Sequence, residues 1–256
     1  MKNTLNKNFG EYVEKSVYRV VISYFNDKKL STGSGFFISE KVFLTCCHVV
    51  FGSELVNIRQ NSDFKIILGK DEHTKLEEFY KTKKAEIQIE LTNGEKIQAV
   101  LKDFDEFYDI AILEVDTNKK NINICKLNLK PKLNYGDLVA FGGFSNQHGY
   151  SNDKFPFSYN EGIISSFPTT IVGGGSYEHI RINSINLGGN SGAPLFIKGT
   201  KDVIGIINGN MNWGSDNMVF EKIDGSRFKD SFRVPLNIAY STLIKLLKDK
   251  TGILNL

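Results

Sequence analysis

The chain has 256 residues, 41% hydrophobic and 24% charged, a composition that supports a large buried core and excludes a disordered or fibrous polymer. Lysine and arginine number 32 against 29 for aspartate and glutamate, a balance that gives no electrostatic basis for binding nucleic acid or an anionic membrane. Neither partner is expected.

Glu11, Glu14, Lys15 and Arg19 interrupt the first 25 residues, so these lack the unbroken apolar segment of a secretory signal. The most apolar stretch, residues 42–51, falls far short of the roughly 20 residues that a helical bilayer crossing needs. Three cysteines, Cys46, Cys47 and Cys125, cannot build a disulfide framework, and free thiols in a cytoplasmic protein are expected.

Short apolar runs separated by turn residues then recur along the chain, with glycine far commoner than proline, and the chain reads as all-β. Strands are expected over residues 17–25, 35–39, 42–45, 86–91, 97–101 and 110–115, with a hairpin turn at Asn93-Gly94. Between them the charged stretch 70–84 reads as a solvated surface helix or loop without chemistry. A second set of strands is expected over residues 138–141, 159–165, 180–183, 194–197, 203–207 and 232–235. Two sets of six, joined through a polar stretch, imply domains 1–128 and 129–256, each a six-stranded antiparallel β-barrel. Ser241 is expected to cap a C-terminal helix over residues 242–249, whose Leu243, Leu246 and Leu247 share one face.

Three segments carry chemistry. Gly33-Ser34-Gly35-Phe36-Phe37-Ile38, followed by Phe43-Leu44-Thr45-Cys46-Cys47-His48, places a histidine at the end of an apolar strand. Tyr108-Asp109-Ile110-Ala111-Ile112-Leu113 opens a strand, otherwise too apolar for a charge, with an acid that requires a partner such as an imidazole N–H. Gly188-Gly189-Asn190-Ser191-Gly192-Ala193-Pro194-Leu195 supplies glycines able to adopt positive φ around an accessible serine. His48, Asp109 and Ser191 stand in the order histidine, aspartate, serine, which among serine hydrolases belongs to the two-barrel proteases. No metal is expected. Vicinal Cys46 and Cys47 on a strand would point to opposite faces, and the histidines outside this segment are too scattered.

From about Val17 to Leu247 the chain resembles the trypsin-like serine peptidases of the chymotrypsin fold, of the bacterial kind. Glu161-Gly162-Ile163-Ile164-Ser165-Ser166 and Phe232-Arg233-Val234-Pro235-Leu236-Asn237 resemble the high-temperature-requirement proteases, while the segment around Ser191 resembles the glutamyl endopeptidases. The resemblance implies a cofactor-free serine endopeptidase acting through an acyl-enzyme: Ser191 the nucleophile, His48 the base, Asp109 its orienting acid, and the backbone amides of Gly189 and Ser191 the oxyanion hole. Extended protein or peptide substrates would pair with Ile206, Ile207, Asn208 and Gly209.

Departures from the family pattern matter too. Asn190 stands where activatable relatives have an aspartate, so activation by N-terminal cleavage is not expected. Ile207 replaces the histidine of the glutamyl endopeptidases, and Ile185 falls at the base of the specificity pocket, which implies an uncharged pocket and cleavage after apolar residues. Restraint is also expected, since an unrestrained cytoplasmic protease is hazardous, whether by a regulatory protein partner, an unformed oxyanion hole or narrow specificity; no residue distinguishes these. The alternative reading is a catalytically silent peptide-binding module of the same fold.

Overall fold

Buried and half-buried residues alternate along β1 (Tyr18–Tyr24), so Tyr18, Val20, Ile22 and Tyr24 face one way, as expected of a strand with one side on a core. The structure, a computed structural model, describes residues 2–24, 30–52, 54–55, 70–117, 121–144, 156–172, 175–221 and 227–243. β1 is joined by β2 (Leu30–Phe37), β3 (Val42–Thr45), β4 (Ala85–Glu90), β5 (Lys96–Asp105) and β6 (Ile110–Val115) in the order β1-β2-β3-β6-β5-β4, and the β1–β4 pairing closes the ring. Tyr18, Phe37 and Phe43 meet edge to face inside it, with centroids 4.9–6.4 Å apart.

β7 (Lys126–Leu127) is followed by β8 (Leu138–Phe144), β9 (Phe157–Ser166), β10 (Thr169–Val172), β11 (Gly175–Asn183), β12 (Pro194–Ile197), β13 (Asp202–Glu221) and β14 (Arg227–Leu243). Six of them, in the order β11-β14-β13-β12-β8-β9, form a second ring that closes where β9 pairs with β11. The two six-stranded antiparallel barrels expected from the sequence are therefore the architecture. β10 adds a hairpin to β11, and β7 pairs parallel with β13. Past the barrel, β13 and β14 continue as a paired ribbon from Asn212↔Pro235 to Glu221↔Arg227, well beyond the lengths read from the sequence.

Helices were harder to foresee. α1 (Lys2–Ser16) was not expected; it packs Phe9 and Tyr12 against Phe196 of β12, with centroids 6.2 and 5.7 Å apart, and buries Val13 completely. This helix precedes the first barrel in sequence yet leans on the second. After α2 (Cys47–Phe51), the charged stretch forms α3 (Lys70–Lys83), a helix anchored by the fully buried Leu76. The C-terminal helix does not begin where expected. Thr242 and Leu243 belong to β14, where Ser241 and Thr242 pair with Ile180 and His179 on one side and with Ile207 and Ile206 on the other. A ladder on both edges outweighs the capping preference of one serine. Residues 244–249 lie outside the described set.

Candidate active site

After β3 the backbone is extended at Cys46 and then enters α2, burying Cys47, Val49, Val50 and Phe51 and leaving His48 half-buried. His48 thus sits in the first turn of a short helix rather than at a strand end. Asp109 immediately precedes β6 in the left-handed region, with φ 58°, rare for a residue other than glycine and often retained at functional positions. The turn before it is fastened by the Tyr108 N–H, which donates to Asp105 Oδ1 at 2.8 Å. In this pose Asp109 engages His48 twice. Oδ1 accepts the His48 backbone N–H at 2.9 Å, and Oδ2 lies 2.7 Å from Nδ1. The carboxylate so holds the ring orientation and favours the tautomer with its proton on Nδ1, leaving Nε2 as an acceptor.

The Ser191 loop turns on Gly189 and Gly192, whose φ values of 99° and 91° are ones a side chain would resist. Gly192 is further constrained, because a Cβ there would collide with Ser34 O and Thr45 Oγ1. Buried Ser34, on β2, stitches this loop to the first barrel. Its N–H donates to Ser191 O at 2.8 Å, its Oγ–H donates to Gly189 O at 2.8 Å, and the same Oγ accepts the Phe144 N–H at 3.1 Å. Thr45 Oγ1 in turn donates to Ser34 O at 2.7 Å. A Cβ on Gly33 would lie 3.0 Å from Ser191 O and 2.6–2.8 Å from the Val49 methyls, so the serine segment and the residue after His48 meet across that glycine. Residues far apart in sequence are brought together along the seam between the barrels. The sequence signal for Ser34 is a small hydroxyl flanked by glycines at the head of an apolar run.

Asn190, where the activatable pattern has an acid, is fully buried, and its Oδ1 accepts the Ser158 Oγ–H at 3.2 Å. β9 supplies that partner.

The expected substrate-binding residues divide. Ile206 and Ile207 are fully buried, and Ile206 pairs with Pro194 on one edge and Thr242 on the other. The Ile207 N–H donates to Ala193 O, while Ile207 O accepts the Gly192 N–H at 2.7 Å and the Cys46 thiol at 3.3 Å. Both are enclosed in the sheet, a correction to the sequence reading that set them against a substrate backbone. Asn208 Nδ2 donates to Thr242 Oγ1 at 2.8 Å, which donates to Tyr108 O at 3.0 Å, linking this strand to the residue before Asp109. Ile185 is 52% exposed, whereas its neighbour Asn186 is buried and donates from Nδ2 to Gly209 O at 2.8 Å. Asn186, which the sequence reading passed over, ties the segment before the serine to β13.

Cys46, Cys47 and Cys125 are all free and buried. Burial raises the Cys46 thiol well above its ordinary pKa, with the Asp109 carboxylate adding to the effect, and burial pushes Cys125 up to about 12. Cys46 lies at the helix entry rather than on a strand, so the argument from opposite strand faces does not apply to it. One ligand atom each from Cys46, His48 and Asp109 lie within 4.8 Å of one another.

A "Probable periplasmic serine endoprotease DegP-like" of Pseudomonas putida is 30% identical over 165 residues, which cover 64% of this chain and 30% of that protein. A protein of the same description from Halomonas elongata is 27% identical over 226 residues, 88% of this chain and 37% of its own length. The chain thus spans about a third of the length of these relatives. Among solved structures, the Rv3671c protease of M. tuberculosis in its active form superposes with a TM-score of 0.63 at 16% identity, covering 98% of this chain and 86% of that one, a likeness of fold. The family model for the trypsin-like peptidase domain matches residues 33–206, well over half of the sequence and the span that holds His48, Asp109 and Ser191, and the chain belongs to that family.

Proposed function

We propose that the protein is a serine endopeptidase that hydrolyses peptide bonds through Ser191, His48 and Asp109. The observation that carries this reading is the double engagement of His48 by Asp109, at 2.9 Å to its backbone N–H and 2.7 Å to Nδ1. With Nδ1 so held, Nε2 accepts the Ser191 proton as Oγ attacks the substrate carbonyl to form a tetrahedral intermediate, then gives that proton to the leaving amine, whose departure leaves the acyl-enzyme. Water, activated by the same imidazole, releases the acyl group. The amides of Gly189 and Ser191 stabilise the oxyanion, a role in which one donor is typically worth about 2.7–4 kcal/mol of barrier.

Extended protein or peptide segments are the proposed substrates, pairing from Asn208 onward. Ile185 and Asn186 carry no charge to offer a Lys, Arg or Glu side chain, which supports cleavage after apolar residues. An unpaired substrate charge costs far more to bury than one misplaced methylene, worth about 1–3 kcal/mol. Three free thiols support residence in a reducing compartment such as the cytoplasm. A diverse peptide library, incubated with the wild-type chain and with Ser191→Ala, tests the reading. Cleavage after apolar residues by the wild type alone is expected; equal cleavage by Ser191→Ala would overturn the assignment, and a preference for Lys, Arg or Glu would overturn the specificity.

A further inference from the structure

We propose that Cys46, His48 and Asp109 form a binding site for Zn2+, and that its occupation switches the peptidase off. The blocking half of this inference rests on the proposed triad, whereas binding does not. Three ligand atoms, each within 4.8 Å of the other two, share a point no more than about 2.8 Å from all of them, against zinc bond lengths of about 2.0–2.3 Å. Nδ1 and Oδ2, 2.7 Å apart in the direct contact, spread by about half an ångström to subtend a tetrahedral angle at the ion, while the Cys46 thiolate closes on it.

The donor set selects the metal. One thiolate, one imidazole and one carboxylate suit Zn2+, a borderline-soft ion, and a fourth position open to water completes a tetrahedron. Magnesium and calcium favour an all-oxygen shell, which this cluster does not offer. Charge also balances. Before binding, the cluster carries the single negative charge of Asp109. Binding releases the Cys46 thiol proton to solvent, and Zn2+, thiolate and carboxylate then sum to zero, so no net charge is left buried. With Nδ1 as the donor, the one proton of the neutral ring moves to Nε2. Entry from solvent is past the His48 ring, whose side chain is 33% exposed, while Asp109 is 14% exposed and Cys46 is fully buried at the back.

Such an ion replaces the 2.7 Å contact between His48 and Asp109 and leaves Nε2 protonated, unable to accept from Ser191. Cys46 is the distinguishing residue. It is not needed for peptide hydrolysis in the proposed mechanism, yet its thiol lies against the pair that performs it and donates to Ile207 O at 3.3 Å.

The test uses Co2+ as a spectroscopic stand-in and Zn2+ as the inhibitor, on the full chain. Titration with Co2+ should give a near-ultraviolet thiolate-to-cobalt band saturating at one ion per chain, abolished in Cys46→Ser and in Cys46→Ala and kept in Cys47→Ser. Zn2+ should prevent fluorophosphonate labelling of Ser191, EDTA should restore it, and either Cys46 variant should require at least ten-fold more Zn2+ for the same block. Absence of the band, or its survival in both Cys46 variants, would overturn the site; full labelling of the metal-loaded enzyme would overturn the switch. Were Ser191 not the nucleophile, labelling would be absent before metal is added while the cobalt band still reported binding, so the two failures are distinct.

Discussion

Asp109 occupies a backbone conformation that costs of order 1–3 kcal/mol for a residue other than glycine, and it is retained because the carboxylate then reaches both the N–H and Nδ1 of His48. Asp109→Asn keeps the size of the side chain but places a donor where Nδ1–H needs an acceptor, favouring the wrong tautomer. A loss in kcat of about 10⁴-fold is expected with little change in thermal unfolding. Retention of full kcat in a stopped assay of peptide turnover would contradict the orienting role. Ser34 acts at one remove. Ser34→Ala removes the hydroxyl that links Gly189 O to Phe144 N, and about 1 kcal/mol of support, or roughly five-fold to ten-fold in kcat with KM little altered, should be lost. A rise in KM alone would instead mark a substrate contact.

These two residues differ in how far the sequence discloses them. Asp109 announces itself as a charge immediately before an apolar run, while the Ser34 hydroxyl finds its partner 155 positions away, a pairing that only the closure of both barrels creates. Asn186 was equally silent, since its partner Gly209 belongs to a strand 23 residues on. Local pattern cannot reveal contacts that topology makes.

At the scale of elements, strands were legible where a short continuous apolar run is bounded by turn residues, a local signal; β3, β6 and β12, buried at nearly every position, match their expected bounds. α1 escaped because its polar, asparagine-containing start and Gly10 weaken helix propensity, and the packing of Phe9, Tyr12 and Val13 on the second barrel supplies what propensity lacks. Phe9→Ala should therefore destabilise the protein by about 2–4 kcal/mol, toward the lower end of the range for buried aromatics because the site is near the surface. Urea denaturation checks this: a lowered midpoint with unchanged slope is expected, and an unaltered midpoint would mean that the helix does not stabilise the barrel. Thr242 and Leu243 were misread for the opposite reason. A capping serine and spaced leucines are local signals, and they yield to a strand paired on both edges.

For the molecule as a whole, the two barrels divide the proposed triad, the first holding His48 and Asp109 and the second holding Ser191, with Ser34 bridging the seam. The three thiols take no part in covalent cross-links, so reductant should leave both the melting temperature and peptide turnover unchanged; a fall in either, with a bridge found by mass spectrometry, would contradict this. In the proposed mechanism the Ser191 hydroxyl is a nucleophile made reactive by His48. The most direct test of that role is the mapping of covalent adducts after a fluorophosphonate probe is applied to the wild-type chain and to folded His48→Ala. A single adduct on Ser191 in the wild type, and a rate at least ~10³-fold slower in His48→Ala, is the predicted result; no adduct, an adduct on another residue, or an equal rate in the variant would contradict it.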